Sequence, residues 1–267
     1  MRILGLDTAT RATAVAIWDS DGAAATTEGR DDPAPGVRPH HTTRLMALIV
    51  EVLERSGTRW ADIDRIAVGV GPGTFTGLRI GVATARALGR AQSIPLVGIS
   101  TLRSLALGAA EIGGPGSPAL GAPEGDGQRD RPADDSPPAA SFDALLAVID
   151  ARRGEVFAAC WRGGSPAIEP PPLLLAPAAL APDALARRSP ELGSRILAVG
   201  EGAVEFRPIL ECSGMWIPED GSGLHQVSAI NHCRLASSLR AGAPDEVRPE
   251  YLRLPDAEIT LRDAGQA

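Results

Sequence analysis

The sequence predicts an α/β fold in two lobes, built on a repeated β-hairpin. Two stretches carry that expectation. "RILGLDTATRATAVAIWDSDG" and "FDALLAVIDARRGEVFAACWRGG" each open with an apolar strand ending in aspartate, Asp7 or Asp150, then turn and return as a second apolar strand. Around them, segments of helical periodicity alternate with short buried-type strands, as in βαβ units. A third observation sets the limits of the lobes. The Gly/Pro/Asp-rich tract of residues 113–140 separates the two copies, leaving an N-terminal lobe at 1–112 and a C-terminal lobe with its tail at 141–267.

Each element has its own reason. Residues 3–6 and 14–18 are the strands of the first hairpin, and a third strand is expected near 24–29. Pro33, Pro35 and Pro39 then interrupt regular structure. Leu45, Leu48, Ile49, Val52 and Leu53 recur at the i, i+3, i+4, i+7, i+8 spacing of an amphipathic helix over 41–55, stopped by Gly57. A buried strand at 63–70 leads into a glycine-rich turn and a helix to Gln92; "IPLVGIS" is the next strand, and a short helix starts at Thr101. The 113–140 tract buries too little apolar surface to offset its ordering entropy and is expected to be a flexible insertion. Beyond the second hairpin the pattern is less regular: a Pro-rich "EPPPLLLAPAALAPDAL", a strand at 195–199, a helix over 225–239 and the tail "APDEVRPEYLRLPDAEIT".

Composition narrows the function. The chain has 267 residues, 44% of them apolar and 22% charged, enough to bury a sizeable core. It contains no lysine, so all 26 basic residues are arginine. That excludes a Schiff-base lysine, a phosphate-loop lysine and a Ser–Lys dyad. The net charge of −7 argues against strong unaided RNA binding. Cys160, Cys212 and Cys233 form no CxxC pair and read as reduced thiols. The polar start "MRILGLDTAT" is unlike a signal peptide, and no apolar run reaches membrane-spanning length, so the expectation is a cytoplasmic protein without membrane contact.

The stretch "VGVGPGTFTGLRIGVATARALG" resembles a phosphate cradle but meets neither named pattern. The spacing from Gly73 to Gly77 leads into Leu78 and Arg79 rather than Lys-Ser/Thr, and Gly69 and Gly71 are followed by Thr74 where a dinucleotide fingerprint needs glycine. In the helix that follows, Gly77, Gly81, Ala85 and Gly89 share one face. Glycine inside a helix costs about 0.5–1 kcal/mol against alanine, so this face must admit a close neighbour, either in the same chain or in a partner subunit. Asp7 and Asp150 stand where strand-end carboxylates orient a Mg²⁺–nucleotide, and Thr8 and Thr10 offer hydroxyls; turn capping is the commoner role for such residues. Gly71 and Gly73 complete the nucleotide-compatible set. His40, His41, His225 and His232 show no helical ligand spacing, and His40 and His41 are expected to be solvated or capping. No catalytic set emerges.

The strings "ILGLDTAT", "HHTTRLMALIVEVL", "IAVGVGPGTFTGLRIGVATARALG", "IPLVGISTL", "LLAVIDARRGEVFAACW" and "VRPEYLRLPDAE" resemble the TsaB (YeaZ) family across both lobes, with 113–140 outside the match. The resemblance implies the actin/Hsp70/sugar-kinase (ASKHA) fold and a part in making N6-threonylcarbamoyladenosine in tRNAs that read codons starting with A. It also implies a non-catalytic role beside the paralogous transferase TsaD, with the TsaE ATPase joining the complex, self-pairing when alone, and tRNA contact only through the complex. TsaD proteins carry H-x-E-G-H after the strand that matches "PLVGIS", and its two histidines hold a metal; here those positions are Thr101 and Leu105. The implied partner face comprises His41, Arg44, Leu45, Leu48, Ile49 and Val52 on the first helix. On the loop and second helix it comprises Thr74, Phe75, Thr76, Gly77, Arg79, Ile80, Gly81, Thr84 and Ala85. No cofactor is required on this reading, though weak ATP or ADP binding stays open. The alternative is a stand-alone ATP/Mg-dependent kinase or ATPase of the same fold class using Asp7 and Asp150.

Overall fold

The computed structural model describes residues 1–22, 26–34, 36–110, 142–163 and 172–253. The 113–140 tract, expected to be a flexible insertion, lies outside them. The first sheet contains β1 (Arg2–Asp7), β2 (Thr13–Asp19), β3 (Thr27–Asp31), β4 (Arg65–Gly71) and β5 (Leu96–Ser100), in the order β3-β2-β1-β4-β5. Three helices belong to this half of the chain: α1 (His41–Ser56), α2 (Phe75–Gln92) and α3 (Thr101–Ala110). The second sheet contains β6 (Ala144–Arg152), β7 (Glu155–Arg162), β8 (Leu173–Leu180), β9 (Ile196–Val199) and β10 (Met215–Trp216). Its order, β10-β9-β6-β7-β8, repeats the first in mirrored listing. In both, the hairpin is antiparallel and the first strand pairs parallel with the fourth. The duplication expected from the two hairpins is therefore present.

Alternation along each strand sorts the core. Leu4 and Leu6 face α1 and α2, packing with Leu45, Leu48, Ile49, Val52, Val82 and Ala85. Ile3 and its neighbours on the opposite face meet α8 (Ala229–Ser238). In the second sheet, Ala147 and Ile149 face α3, whereas Leu146 and Val148 face α4 (Pro182–Arg187), α5 (Ser189–Leu192), α6 (Glu201–Glu205) and α7 (Arg207–Cys212).

The lobes exchange helices, which a division at 113–140 does not anticipate. α3 leaves the first sheet and packs on the second, through Leu102, Leu105, Ala106 and Ala109. α8 leaves the second sheet and packs on the first, through Ala229, Cys233, Leu235 and Ala236. Both ends of α8 are held by first-lobe side chains of the sign that suits its dipole. At the N-terminus the Glu28 carboxylate accepts from Ala229 N (2.6 Å) and Ser228 Oγ (3.0 Å). At the C-terminus Arg65 donates to the carbonyls of Ala236 (2.7 Å) and Leu239 (2.9 Å). Burial pushes the Glu28 carboxyl above its ordinary value, against the pull of Ser228 and Ala229.

Several local expectations change. β3 starts at Thr27, and residues 23–25 lie outside the described residues. β8 runs through the Pro-rich segment; it is an edge strand, where Pro177 removes no needed donor. The helix expected from residue 225 begins at Ala229, because Ser228 caps it by accepting from Ile230 N.

The small-residue face of α2 packs on its own chain. A Cβ at Gly77 would overlap the carbonyl oxygen of Thr8, and one at Gly81 would overlap the Thr8 hydroxyl. Alanine at 77 would gain about 1 kcal/mol in helix propensity, but the clash is with backbone. Gly77→Ala is expected to cost about 2–3 kcal/mol net, read as a lower urea midpoint; an unchanged or raised midpoint would show that the contact is loose.

Candidate functional site

The glycine loop and the β1–β2 turn close on each other. Thr74 N donates to the Ala9 carbonyl (2.8 Å), and the Thr8 hydroxyl donates to the Gly77 carbonyl (2.7 Å). Gly71 has φ 118°, a conformation that favours glycine, and a Cβ there would stand 2.8 Å from the Glu250 carbonyl oxygen. A Cβ at Gly73 would overlap Ala9. Thr8 and Thr10 are both buried. The loop that resembles a phosphate cradle is thus packed against the β1–β2 turn.

Asp7 lies at the centre of the layer between the lobes and is 1% exposed. It accepts from Ala9 N (2.8 Å), Thr101 Oγ1 (3.1 Å) and His232 Nε2 (3.0 Å). Nδ1 of His232 lies 2.8 Å from Ser104 Oγ and 3.0 Å from the Ser228 carbonyl oxygen. One network therefore ties β1, α3 and α8. A Cβ at Gly69 would overlap the Asp7 carboxylate, so β4 approaches this group bare. Mg²⁺ dehydrates reluctantly and is bound through carboxylates that leave room for its waters; Asp7 offers no such room.

Asp150 is placed differently. It follows Leu146 and Val148 on the face turned to α6, the side opposite Ile149 and α3. Its carboxylate accepts from Arg152 N (2.7 Å) and pairs with the Arg152 guanidinium (3.0 Å). Beside it Glu201 opens α6. Burial first, and the charge of Asp150 second, push the Glu201 carboxyl from its ordinary 4.5 up to about 7, against Arg152 and Arg11. Strand alternation thus turns Asp7 to the α8 face of the first sheet and Asp150 to the α6 face of the second, and the two carboxylates share no hydrogen-bond partner among the described residues. Among the described residues no group of three or more His, Cys, Asp or Glu side chains could hold a metal ion.

Of the two adjacent histidines only His41 departs from expectation. His40 is exposed and its side chain makes no cap, but His41 is buried with Nδ1 2.9 Å from Thr13 Oγ1. Burial lowers the His41 imidazole, against the nearby Asp7 charge. His225 accepts from Gly200 N at Nδ1 (3.1 Å), leaving Nε2 to donate to the Pro218 carbonyl (3.2 Å).

On the outer side, α1 and α2 lie on one face of the first sheet. β3, β1 and β4 run in one direction, so both crossover helices run against them and parallel to each other. Leu45, Leu48, Ile49 and Val52 fill the core beneath and are not available to a partner. Gly77, Gly81 and Ala85 are likewise buried. The residues that face outward on α1 are Thr42, Thr43, Met46, Ala47 and Val50, followed by Glu51, Glu54 and Arg55 in its last turns; Met46 is 43% and Val50 48% exposed. Arg44 is partly exposed and paired with Asp31 (3.1 Å). On α2, Thr76 and Arg79 are exposed, while Phe75, Ile80 and Thr84 are half-buried, as is the N-cap Thr74. Met46 and Val50, between the expected anchors in sequence, are the side chains the periodicity reading passed over.

Duplicated sheets and exchanged helices define a two-lobed α/β protein of the actin/Hsp70/sugar-kinase type. Two solved structures illustrate the likeness. They are YeaZ from Pseudomonas aeruginosa (22% identity, TM-score 0.65) and a Pseudomonas aeruginosa protein described as similar to peptidase YEAZ (24%, TM-score 0.64), each covering 94% of this chain and 99% of the other. The family model "TsaD: tRNA N6-adenosine threonylcarbamoyltransferase" matches residues 33–123. The tRNA N6-adenosine threonylcarbamoyltransferase of Zymomonas mobilis is 38% identical over 115 residues, 39% of this chain and 32% of that one. The tRNA threonylcarbamoyladenosine biosynthesis protein TsaB of Escherichia coli is 30% identical over 264 residues, 95% of both chains. The chain belongs to the TsaB (YeaZ) family.

The raised Glu201 carboxyl has a defined sign. The folded chain holds this proton more tightly than the unfolded chain, so the stability it contributes is present at low pH and lost as pH rises from 4.5 towards about 7. Glu201→Gln should remove that loss, raising stability at about pH 8 relative to about pH 5 by on the order of 1–3 kcal/mol. Urea unfolding at both pH values checks it; an identical pH dependence in the variant would exclude Glu201 as the source.

Proposed function

We propose that this chain is the non-catalytic subunit of the machinery that makes N6-threonylcarbamoyladenosine in tRNA. It docks on the TsaD-type transferase through the outer face of α1 and α2 and helps to recruit the TsaE ATPase. The observation that carries the reading is the outward pair Met46 and Val50. They are large apolar side chains left in water on a helix whose other apolar stripe already fills the core. Its chemistry comes from the relative's name, tRNA threonylcarbamoyladenosine biosynthesis protein TsaB.

The enclosure of Asp7 and the residues at positions 101 and 105 support the non-catalytic part. In the transferase family, as the resemblance implies, two histidines hold a metal at the positions of Thr101 and Leu105. Here Thr101 donates to Asp7, and Leu105 is buried in the second-lobe core. Neither side chain replaces an imidazole. On this reading the chain needs no cofactor, acts in the cytoplasm, pairs with itself when alone and meets tRNA only through the complex. Among the described residues no helix is long and apolar enough to cross a membrane.

Co-purification with the cognate transferase subunit tests docking. Met46→Asp and Val50→Asp are each expected to weaken the complex about tenfold or more while the protein stays folded with at most a small fall in melting temperature, since each side chain is about half exposed. Reconstituted tRNA modification should require this chain. Modified tRNA made with it as the only pathway protein would refute the non-catalytic assignment, and no complex at micromolar concentrations would refute the docking assignment.

A further inference from the structure

Arg79 projects from the first turns of α2, and its guanidinium carbon stands 3.7 Å from the centroid of the Phe75 ring. The Phe75 ring is 5.1 Å from that of Tyr251, whose hydroxyl accepts from Arg79 Nε at 3.2 Å. Tyr251 arrives there because the C-terminal segment is strapped across the first lobe. Gly242 and Leu96 exchange backbone hydrogen bonds (3.0 and 2.9 Å), Asp245 pairs with Arg86 (2.8 Å) and Arg90, and Glu250 N donates to the Val70 carbonyl (2.8 Å). The other arginines of α1 and α2 each have a carboxylate: Arg44 has Asp31, Arg55 has Glu51, and Arg86 and Arg90 share Asp245. Arg79 has none within ion-pair reach among the described residues.

We propose that Arg79 is a receptor for a carboxylate on the docking protein, held in place by Phe75 and by Tyr251 of the C-terminal strap. This rests on the docking reading above. Stacking and the Nε bond fix the plane of the guanidinium, so little side-chain freedom is lost on binding, and the two terminal nitrogens stay free to meet a carboxylate with both its oxygens. A protein carboxylate fits better than nucleic-acid phosphate. Phosphate tracking needs several cations along a surface. Here the remaining helix arginines are committed, the surroundings of Arg79 on α2 are Thr76, Ile80 and Ala83, and the chain carries a net −7.

Calorimetry of the full chain with the cognate full-length transferase subunit tests the proposal, with melting curves as the folding control. Arg79→Ala should lower affinity at least about tenfold. Arg79→Lys should lose nearly as much, because it keeps the charge without the fork. Tyr251→Phe, which keeps the ring contact and loses the hydroxyl, should lose several-fold. Arg79→Glu should be rescued by reversal of one Asp or Glu on the transferase subunit to Arg. A folded Arg79→Ala protein that binds within about twofold of the wild type overturns the proposal. So does one that keeps the subunit's affinity but lowers tRNA retention by the complex, which would assign the anion to phosphate. If the wild type itself fails to bind, the docking reading falls and takes this proposal with it; if only the variants are unaffected, docking stands and the carboxylate receptor does not.

Discussion

A carboxylate removed from water is tolerated only when other donors replace the lost hydration. Asp7 meets that condition with groups from three separate parts of the chain: the amide of Ala9 in its own turn, the hydroxyl of Thr101 at the start of α3 and the imidazole of His232 on α8. None of these can be withdrawn without leaving a buried acceptor short of a donor. The consequence is mechanical. Both α3 and α8, which connect the lobes by exchanging between them, are tied to the end of β1, and the Glu28 and Arg65 contacts fix α8 at its two ends. The turn that follows Asp7 carries Thr8 and Ala9, onto which the glycine loop is pressed through Gly73 and Gly77.

The outer face follows from the inner one. Because Leu4 and Leu6 need cover on the side away from α8, α1 and α2 must lay their best apolar stripes inward. What remains outward near the N-terminal halves of the two helices is a threonine-rich first turn, Met46, Ala47 and Val50 on α1 and a neutral strip beside Arg79 on α2; the charged residues Glu51, Glu54, Arg55, Arg86 and Arg90 lie towards their C-terminal ends. The small residues of α2 act one layer down. They let the helix sink onto the β1–β2 turn and so set the height at which Phe75 and Arg79 emerge.

Periodicity in the sequence located α1 and α2 to within a residue or two, because a strong 3.6-residue repeat and a glycine stop are local signals. It did not show which way a stripe faces. Leu45, Leu48, Ile49 and Val52 were legible as one face, yet a partner face and a core face look alike in a single chain; the informative residues were the exceptions, Met46 and Val50. β8 escaped notice because proline suppresses strand signals that an edge position tolerates. His232 was invisible for a different reason. Its partner Asp7 is distant in sequence, and nothing local marks a histidine on an amphipathic helix as the one that meets a carboxylate across the interlobe layer.

The matching aspartates show how a duplicated pattern misleads. Aligned by sequence, Asp7 and Asp150 both end the first strand of a hairpin, and a pair of such groups facing each other would make an ion clamp. In a strand, however, a shift of one residue exchanges the two faces of the sheet. In the first lobe the aspartate follows Ile3 and Gly5 on the side of α8; in the second it follows Leu146 and Val148 on the side of α6. The residue that faces the interlobe layer in the second lobe is Ile149, an apolar side chain packed against α3. The second-lobe aspartate pairs with Arg152 beside Glu201, whereas the first-lobe aspartate is enclosed by Ala9, Thr101 and His232. What the chain still shows to the outside is then its surface, and the surface least explained by its own stability is the helix pair.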